Sequence, residues 1–589
     1  MSLHREPFRF PRIGTGLRAA LRDGYHLADL RKDVLAGLTI GTVAVPLSMA
    51  LAIATGVPPQ NGLYTAIVAG AIIALTGGSR FNVSGPTAAF VVILFPVVQK
   101  FGLGGLLIAT MMAGLILVAL GISRMGRLIQ FVPYPVVLGF TAGIAVVIAV
   151  MQIPDFLGLQ AGDSGEHFVD NVIRIAQSFD TLQPWEMAVG LFTLAVMLVW
   201  PRMHTPVPAP LTGLIVGALA AYLVNRYVAG GSVTGGPLVE TIATRFSWEF
   251  QGASGVGIPP MAPTFMLPWT LPGANGLPLE VNFSLIRDLL GPAFAIAVLG
   301  AIESLLCAVV SDGLTRTRHD PDAELIGQGL GNVLAPMFGG ITATAAIART
   351  ATSIRSGARS PIAAIVHSMV VLLAVVAFAG LLGMVPMAAL AALLIIIAWN
   401  MSEFRHFRHV LRTAPGGDVL VLLTCFGLTV LFDMVLAVGV GVGLAAVLFI
   451  RQMAETTHTS RLDAGQAISG EGWPAEVAVY DVNGPLFFAV ADKAVTSILT
   501  VDPAVKIVVV DFHDVPSIDA SAINALYAVI EEMRRRGIAL VLAGLPARKI
   551  VKLRRAGIRK VQGQLTYCTG LPHARRVAER WLADLKSGL

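Results

Sequence analysis

TGGSRFNVSGPTAAF, residues 76–90, is the stretch on which the reading of this chain turns. It sets Arg80, Asn82 and Ser84, then Gly85-Pro86-Thr87, between two runs apolar enough to cross a bilayer. Non-helical polar backbone survives at membrane depth only where protein buries it or a watery cavity bathes it, so the stretch implies a cavity. Ser84 suits an N-cap and Pro86 a first turn, which predicts a half-helix starting at about Gly85 to Thr87. Free amides and the helix dipole would present partial positive charge there. Small Ala88 and Ala89 allow close approach, and the ligand that fits is an anion.

The rest of the chain has the composition of a membrane protein. Its 589 residues are 55% hydrophobic and 13% charged, with a mean hydropathy of +0.74, which excludes a purely soluble reading. The net charge of +6 reports topology before it reports nucleic acid, and no nucleic-acid partner is expected. Cys307, Cys425 and Cys568 are scattered and suggest neither a disulfide framework nor a metal site. Residues 1–33 are basic (Arg5, Arg9, Arg12, Arg18, Arg22, Arg31, Lys32) and lack the pattern of a cleaved signal peptide, so a cytoplasmic N-terminal segment is expected.

Spans of about 17–25 apolar residues are the unit of membrane crossing. They are expected near 34–55, 62–76, a short one at 85–98, 103–122, 132–152, 185–200 and 210–228. After a polar Gly/Pro-rich loop a second set falls near 290–311, 325–339, a short one at 345–356, 361–380, 383–400, 418–433 and 434–450. Loops expected to be cytoplasmic carry Arg80, Arg124, Arg127, Arg202, Arg316, Arg318, Arg355, Arg359, Arg405, Arg408 and Arg412. The opposite loops carry Asp155, Asp163, Glu166, Asp170 and Asp180, as a positive-inside distribution requires. The fold class is therefore an α-helical polytopic membrane protein with 14 elements in two inverted repeats of seven. In each repeat the third element is a half-helix behind a glycine pair, the second instance being FGGITATAAIART at 338–350.

That second interruption, Ala346-Ile347-Ala348-Arg349, would face the first and add a full positive charge. An intramembrane Arg is costly and by default functional, the bland reading being a structural or snorkelling charge. Glu303, the one acid in LGAIESLLCAVV, can carry a proton, help hold Na⁺ or pair with Arg349. Asp312 and Asp433 lie nearer span ends, where solvation explains them. His367, His406 and His409 form no metal cluster and receive no role, and no nucleophile–base set, phosphate loop or dinucleotide motif suggests an enzyme or an ATP-driven pump. No cofactor is implied. Past a 451–474 linker, VAVYDV, KIVVVDF and IALVLAG alternate with INALYAVIEEMRRRG, which reads as a small α/β domain over 475–589.

These motifs resemble the SulP family of anion permeases: PPQNGLYTAIVAGAIIALTGGSR (58–80), SGPTAAF, GARSP (357–361) and, in the α/β part, the STAS-type VPSIDASAINAL (515–526). The versions in this chain look most like those of the bacterial DauA subgroup, which takes up C4-dicarboxylates. The resemblance implies a transport domain over 34–450 with core and gate parts, elevator-like alternating access, and a cytoplasmic STAS domain. It further implies a homodimer in the bacterial inner membrane with both termini cytoplasmic, and a STAS domain open to a cytoplasmic protein partner. Carried onto this chain it puts the substrate against Leu47, Ser48, Gly85, Pro86, Thr87, Ala88, Ala346, Ile347, Ala348 and Arg349, with Glu303 as coupling residue for a proton or sodium. Leu47 stands where many eukaryotic relatives have Gln. In the STAS-type loop Ala520 stands where regulatory members carry a phosphorylated Ser, and Ser521 is left as a helix cap. The function expected is uptake of small dianions such as succinate, fumarate or aspartate, with bicarbonate or sulfate transport as the alternative. A nucleobase permease, a membrane-anchored signalling protein and a gated channel remain open as further readings.

Overall fold

The computed structural model describes residues 13–127, 132–162, 168–203, 205, 207–228, 237–250, 252–273, 276, 279–432, 434–462, 472–490 and 498–587. Arg5, Arg9, Arg12, Asp163, Glu166, Asp433 and part of the expected linker lie outside them. Two compact units result, 1–442 and 443–589. Among the described residues nine helices are long and apolar enough to cross a membrane.

In the first unit the chain forms α1 (Thr15–Arg22), α2 (Leu27–Ala54), α3 (Pro59–Thr76), β1 (Ser84–Gly85) and a 3₁₀ turn at Ala88–Phe90. Next come α4 (Val91–Ile122), α5 (Tyr134–Met151), α6 (Ile153–Leu157), α7 (Phe168–Gln177), α8 (Pro184–Val199) and α9 (Ala209–Leu223). The loop between halves holds α10 (Ile242–Arg245) and the hairpin β2 (Ser247–Phe250) with β3 (Ala253–Val256). The second half runs α11 (Phe283–Thr315), α12 (Pro321–Leu334), β4 (Thr344–Ala345), α13 (Ile347–Arg355), α14 (Ile362–Gly383), α15 (Met387–Met401), α16 (Phe404–Thr413) and α17 (Gly416–Leu431), and the boundary between the units falls within α18 (Met434–Thr456). Proline stands in the first turn of α3, α5, α8 and α12, where its missing N–H costs nothing.

The helices sort into two packed groups, one of α2, α3, α4 and α11–α14, the other of α5, α8, α9, α15 and α17. In apolar surroundings helices associate through close backbone approach, which small residues permit. A Cβ on Gly114 of α4 would stand 2.7 Å from the Gly329 carbonyl oxygen of α12, and one on Gly329 would stand 2.6 Å from that of Gly114. The expected spans 85–98 and 103–122 follow one another within α4 as two helical stretches separated by a break at Gly102, whose φ of 70° only glycine adopts readily.

The second unit contains a five-stranded sheet in the order β5 (His458–Leu462), β6 (Val477–Asn483), β7 (Ile507–Asp511), β8 (Ala539–Ala543), β9 (Leu565–Tyr567). Only β5 runs antiparallel to its neighbour. Period-two side chains divide between two cores: Val508, Val510, Leu540 and Leu542 pack with α19 (Ala520–Arg535) and α20 (Ala547–Arg555). Ile507, Val509 and Val541 pack instead with Ala574, Ala578 and Leu582 of α21 (Leu571–Ser587). Two expectations change here. The 451–474 linker instead carries the end of α18 and strand β5, because polar HTSRL pairs along the edge of β6. The cap of α19 is Asp519, which accepts from Ala522 N at 2.8 Å and from Phe488 N at 2.9 Å, while Ser521 is exposed. At the end of β7 burial pushes the Asp511 carboxyl above its usual range, opposed by its bond from His513 N.

Candidate functional site

The two interruptions meet. Ser84 pairs with Ala345 and Gly85 with Thr344 in an antiparallel two-stranded ribbon that is fully buried within the first helix group. This pairing overturns the N-cap expected at Ser84: its backbone joins the ribbon, and its Oγ accepts from Gln328 Nε2 at 3.0 Å. The first half-helix starts later, at Ala88, with extended Thr87 before it; the second starts at Ile347 after Ala346. Neither start has a side-chain cap, so their first amides point outward with roughly half a unit of positive charge each.

Each interruption is held by the opposite half of the chain. Glu324 of α12, 1% exposed, accepts from Gly78 N and Ser79 N through Oε2, both at 2.9 Å. Its Oε1 accepts from Asn82 Nδ2 at 2.7 Å and Ser304 Oγ at 2.9 Å. The second interruption is gripped in turn by α3: Asn61 Nδ2 donates to the Gly339 carbonyl at 2.7 Å, and Thr65 Oγ1 to that of Ile341 at 3.1 Å. Asn332 of α12 completes the grip with bonds in both directions to Ala343. Glu324 escaped the sequence reading. An acid that follows Asp320 and Asp322 at a span start gives little signal when Gly78, Ser79 and Asn82, the residues it anchors, stand more than 240 residues away in sequence.

Arg349, 3% exposed, lies across the first interruption: its Nη2 donates to the Pro86 carbonyl, and a Cβ on Gly85 would stand 2.5 Å from Nη1. Nη1 and Nε are buried without an acceptor. A desolvated guanidinium with unused donors is a costly arrangement unless an anion completes it. Glu303 of α11 faces the same region, with Oε2 accepting from Thr87 Oγ1 at 3.0 Å, and no hydrogen bond or ion pair joins it to Arg349. Thr87, Glu303, Ala346 and Leu47 are partly exposed, while Ile347 and Ala348 are exposed, so these residues border open space. Pro86 and Ala88 are buried just behind them. Ser48 is fully buried, its carbonyl oxygen 2.0 Å from where a Gly62 Cβ would stand, at the packing of α2 on α3. The large groove of about 720 Å³ between α2, α9 and α14 is a different feature, bordered by Leu38, Val45, Met49, Ile215 and Phe378 and ill suited to an anion.

Of the acids weighed as solvated, Asp312 ties the α11–α12 turn, bonding His319 N at 2.9 Å and His319 Nδ1 at 2.7 Å. His406 sits on exposed α16 beside Glu403, and His367 is buried.

Two half-helices that start from one buried ribbon, each anchored by the other half of the chain, define an inverted-repeat membrane transporter. The chain belongs to the sulfate permease family, whose model matches residues 30–424, and a STAS domain follows at 474–569. It is an anion permease of that family and not an enzyme. YvdB of Bacillus subtilis (strain 168), provisionally named a sulfate transporter, is 38% identical over 538 residues, 91% of this chain and 95% of its own. The bicarbonate transporter BicA of Picosynechococcus sp. is 30% identical over 566 residues, 90% of this chain and 92% of its own. Among solved structures, the murine anion transporter Slc26a9 in its inward-facing state matches with a TM-score of 0.80 at 18% identity, covering 96% of this chain and 94% of that one. The transmembrane domain of a cyanobacterial BicA matches with a TM-score of 0.56 at 26% identity, covering 72% of this chain and 98% of that one.

Proposed function

We propose that the chain is a cation-coupled secondary transporter that takes up a small dianion, with a proton as the coupling ion. The observation that carries this reading is Arg349, buried with two unused donors between two uncapped half-helix starts. Small Gly85, Ala88, Ala346 and Ala348 leave the amides approachable, and Leu47 and Ile347 give the pocket apolar walls. The coupling proton is assigned in this reading to Glu303, which accepts one hydrogen bond from Thr87 and none from Arg349. The core group of helices would carry the site past the gate group in an elevator-like movement, in a homodimer of the bacterial inner membrane with both termini cytoplasmic.

Two substrate classes fit. The motifs shared with the DauA subgroup support C4-dicarboxylates such as succinate. The names of YvdB and BicA support sulfate or bicarbonate, and a single guanidinium suits one compact oxyanion as well as one end of a dicarboxylate. Labelled succinate, sulfate and bicarbonate are offered to proteoliposomes under an inward pH gradient, each in competition with the others. Uptake that survives collapse of the gradient removes the coupling claim, and the winner of the competition assigns the class. Replacing Glu303 by Gln should abolish accumulation but leave exchange; normal accumulation in E303Q removes Glu303 from the coupling step.

A further inference from the structure

Helix α14 packs against α2 and α3, and within it His367 is 0% exposed. Neither ring nitrogen has a partner in good hydrogen-bond geometry, the Ala364 backbone one turn back being the polar group that faces the ring. A neutral imidazole carries one donor and one acceptor, so this ring leaves both unused in a dry setting, which is unfavourable unless another state of the protein uses them. Gly70 of α3 locates the ring: a Cβ there would meet Ser368 Oγ at 2.6 Å and would stand 3.3 Å from the Ser84 carbonyl oxygen and 3.9 Å from His367 Cε1. The imidazole thus lies behind the ribbon from which both half-helices start.

Few charges face it. Helix α2 has no ionisable residue beyond Asp33, and α3 has only Tyr64. Helix α10 meets the far end of α14 near Gly383, where Arg245 is paired with Asp155 at 2.7 Å. Across the ribbon stands Arg349 of α13, its Nη1 against Gly85, with Glu303 of α11 bonded to Thr87 and Cys307 of α11 bonded to Thr350 beside it.

We propose that His367 is a second proton site of the transport cycle, protonated while an anion occupies Arg349 and neutral when it leaves. This rests on the anion-site reading above. Two buried cations repel across the ribbon, which disfavours an imidazolium while Arg349 is unpaired. An anion on the guanidinium cancels that repulsion and makes room for a proton on the ring. By linkage the effect is reciprocal, and protonation of His367 tightens the anion by the same factor. The proton comes from water on the side where the site is open and returns to water on the other side with the anion. The ring ends each cycle unchanged, and each anion carries one proton more than Glu303 alone would supply.

The test is calorimetric titration of the full-length protein with sulfate, bicarbonate and succinate in buffers of different ionisation enthalpy. Wild type should take up one more proton per bound anion than H367Q or H367N, and reversal potentials in proteoliposomes should show the stoichiometry falling by one. Equal proton uptake in wild type and both variants overturns the proposal while leaving the anion site standing. Wild type that binds none of the three anions overturns the underlying reading with it. Nitrogen NMR of ¹⁵N-histidine wild type needs no variant: a histidine that becomes imidazolium on anion addition is expected, and its absence overturns the proposal.

Discussion

Truncation of Glu324 is the sharpest test of how the site is held. The carboxylate is the shared acceptor for Gly78 N, Ser79 N, Asn82 Nδ2 and Ser304 Oγ, and all four donors belong to buried residues. E324A leaves Gly78 N, Ser79 N and Ser304 Oγ without their acceptor, while Asn82 Nδ2 keeps the Ser304 carbonyl at 3.3 Å, and at roughly 1–3 kcal/mol for each unsatisfied buried donor the expected loss is about 3 kcal/mol or more. E324Q is expected to cost less, for a geometric reason. Its amide nitrogen can take the Oε1 position, where the Ser304 hydroxyl can rotate and Asn82 can present its unpartnered Oδ1, so the two backbone donors keep their oxygen. The expected cost of E324Q is then about 1–3 kcal/mol. Thermal unfolding of the full-length protein in detergent, with anion binding measured on the same samples, should rank wild type above E324Q and E324Q well above E324A. Affinity should fall with stability, because residues 78–82 position the ribbon. An E324A protein with wild-type unfolding midpoint and affinity would refute the claim that this carboxylate anchors the first interruption.

Three further outcomes are expected. Gly85→Ala suits the strand backbone but puts a Cβ where Arg349 Nη1 now lies, 2.5 Å away, so anion affinity should drop about tenfold, or about 1.4 kcal/mol, with expression unchanged. Unchanged affinity in an equilibrium titration would mean the guanidinium shifts freely and its present seat is unimportant. Arg349→Ala should lose at least as much, and Arg349→Lys should recover only part of it, because an ammonium restores the charge but not the planar fork. Full recovery by Lys in the same titration would reduce Arg349 to a point charge. In the second unit, burial holds the Asp511 carboxyl above its unfolded value, so the folded state binds this proton more tightly and stability falls as pH rises through that range. Asp511→Asn should flatten that fall and raise the urea midpoint at pH 8 relative to pH 5; an unaltered difference between the two pH values contradicts the assignment.

Much of the transport unit was legible in the residues. Apart from α6, α7, α10 and α16, which lie outside every expected run, the helices from α2 to α18 stand close to the expected apolar runs because the cost of exposing backbone and charge to hydrocarbon is written locally, residue by residue. TGGSRFNVSGPTAAF and FGGITATAAIART were readable as interruptions for the same reason, and the β-branched runs marked the strands of the second unit. Local signals misled where a distant partner took over. Ser84 has the chemistry of a cap, yet its backbone pairs with Ala345, and the strand HTSRL looks like linker until β6 lies beside it.

By itself the sequence determined where the chain must break its helices and that one break carries Arg349. Only the tertiary structure decided what those breaks become. It set Ser84-Gly85 against Thr344-Ala345, laid Arg349 on Gly85 and Pro86, kept Glu303 apart from it, and gave the amides of residues 78 and 79 to Glu324. The physical reason is sequence distance. Hydropathy and capping preferences act within a few turns, whereas a buried donor is satisfied by whatever acceptor the packed bundle brings to it, here across 245 residues or more.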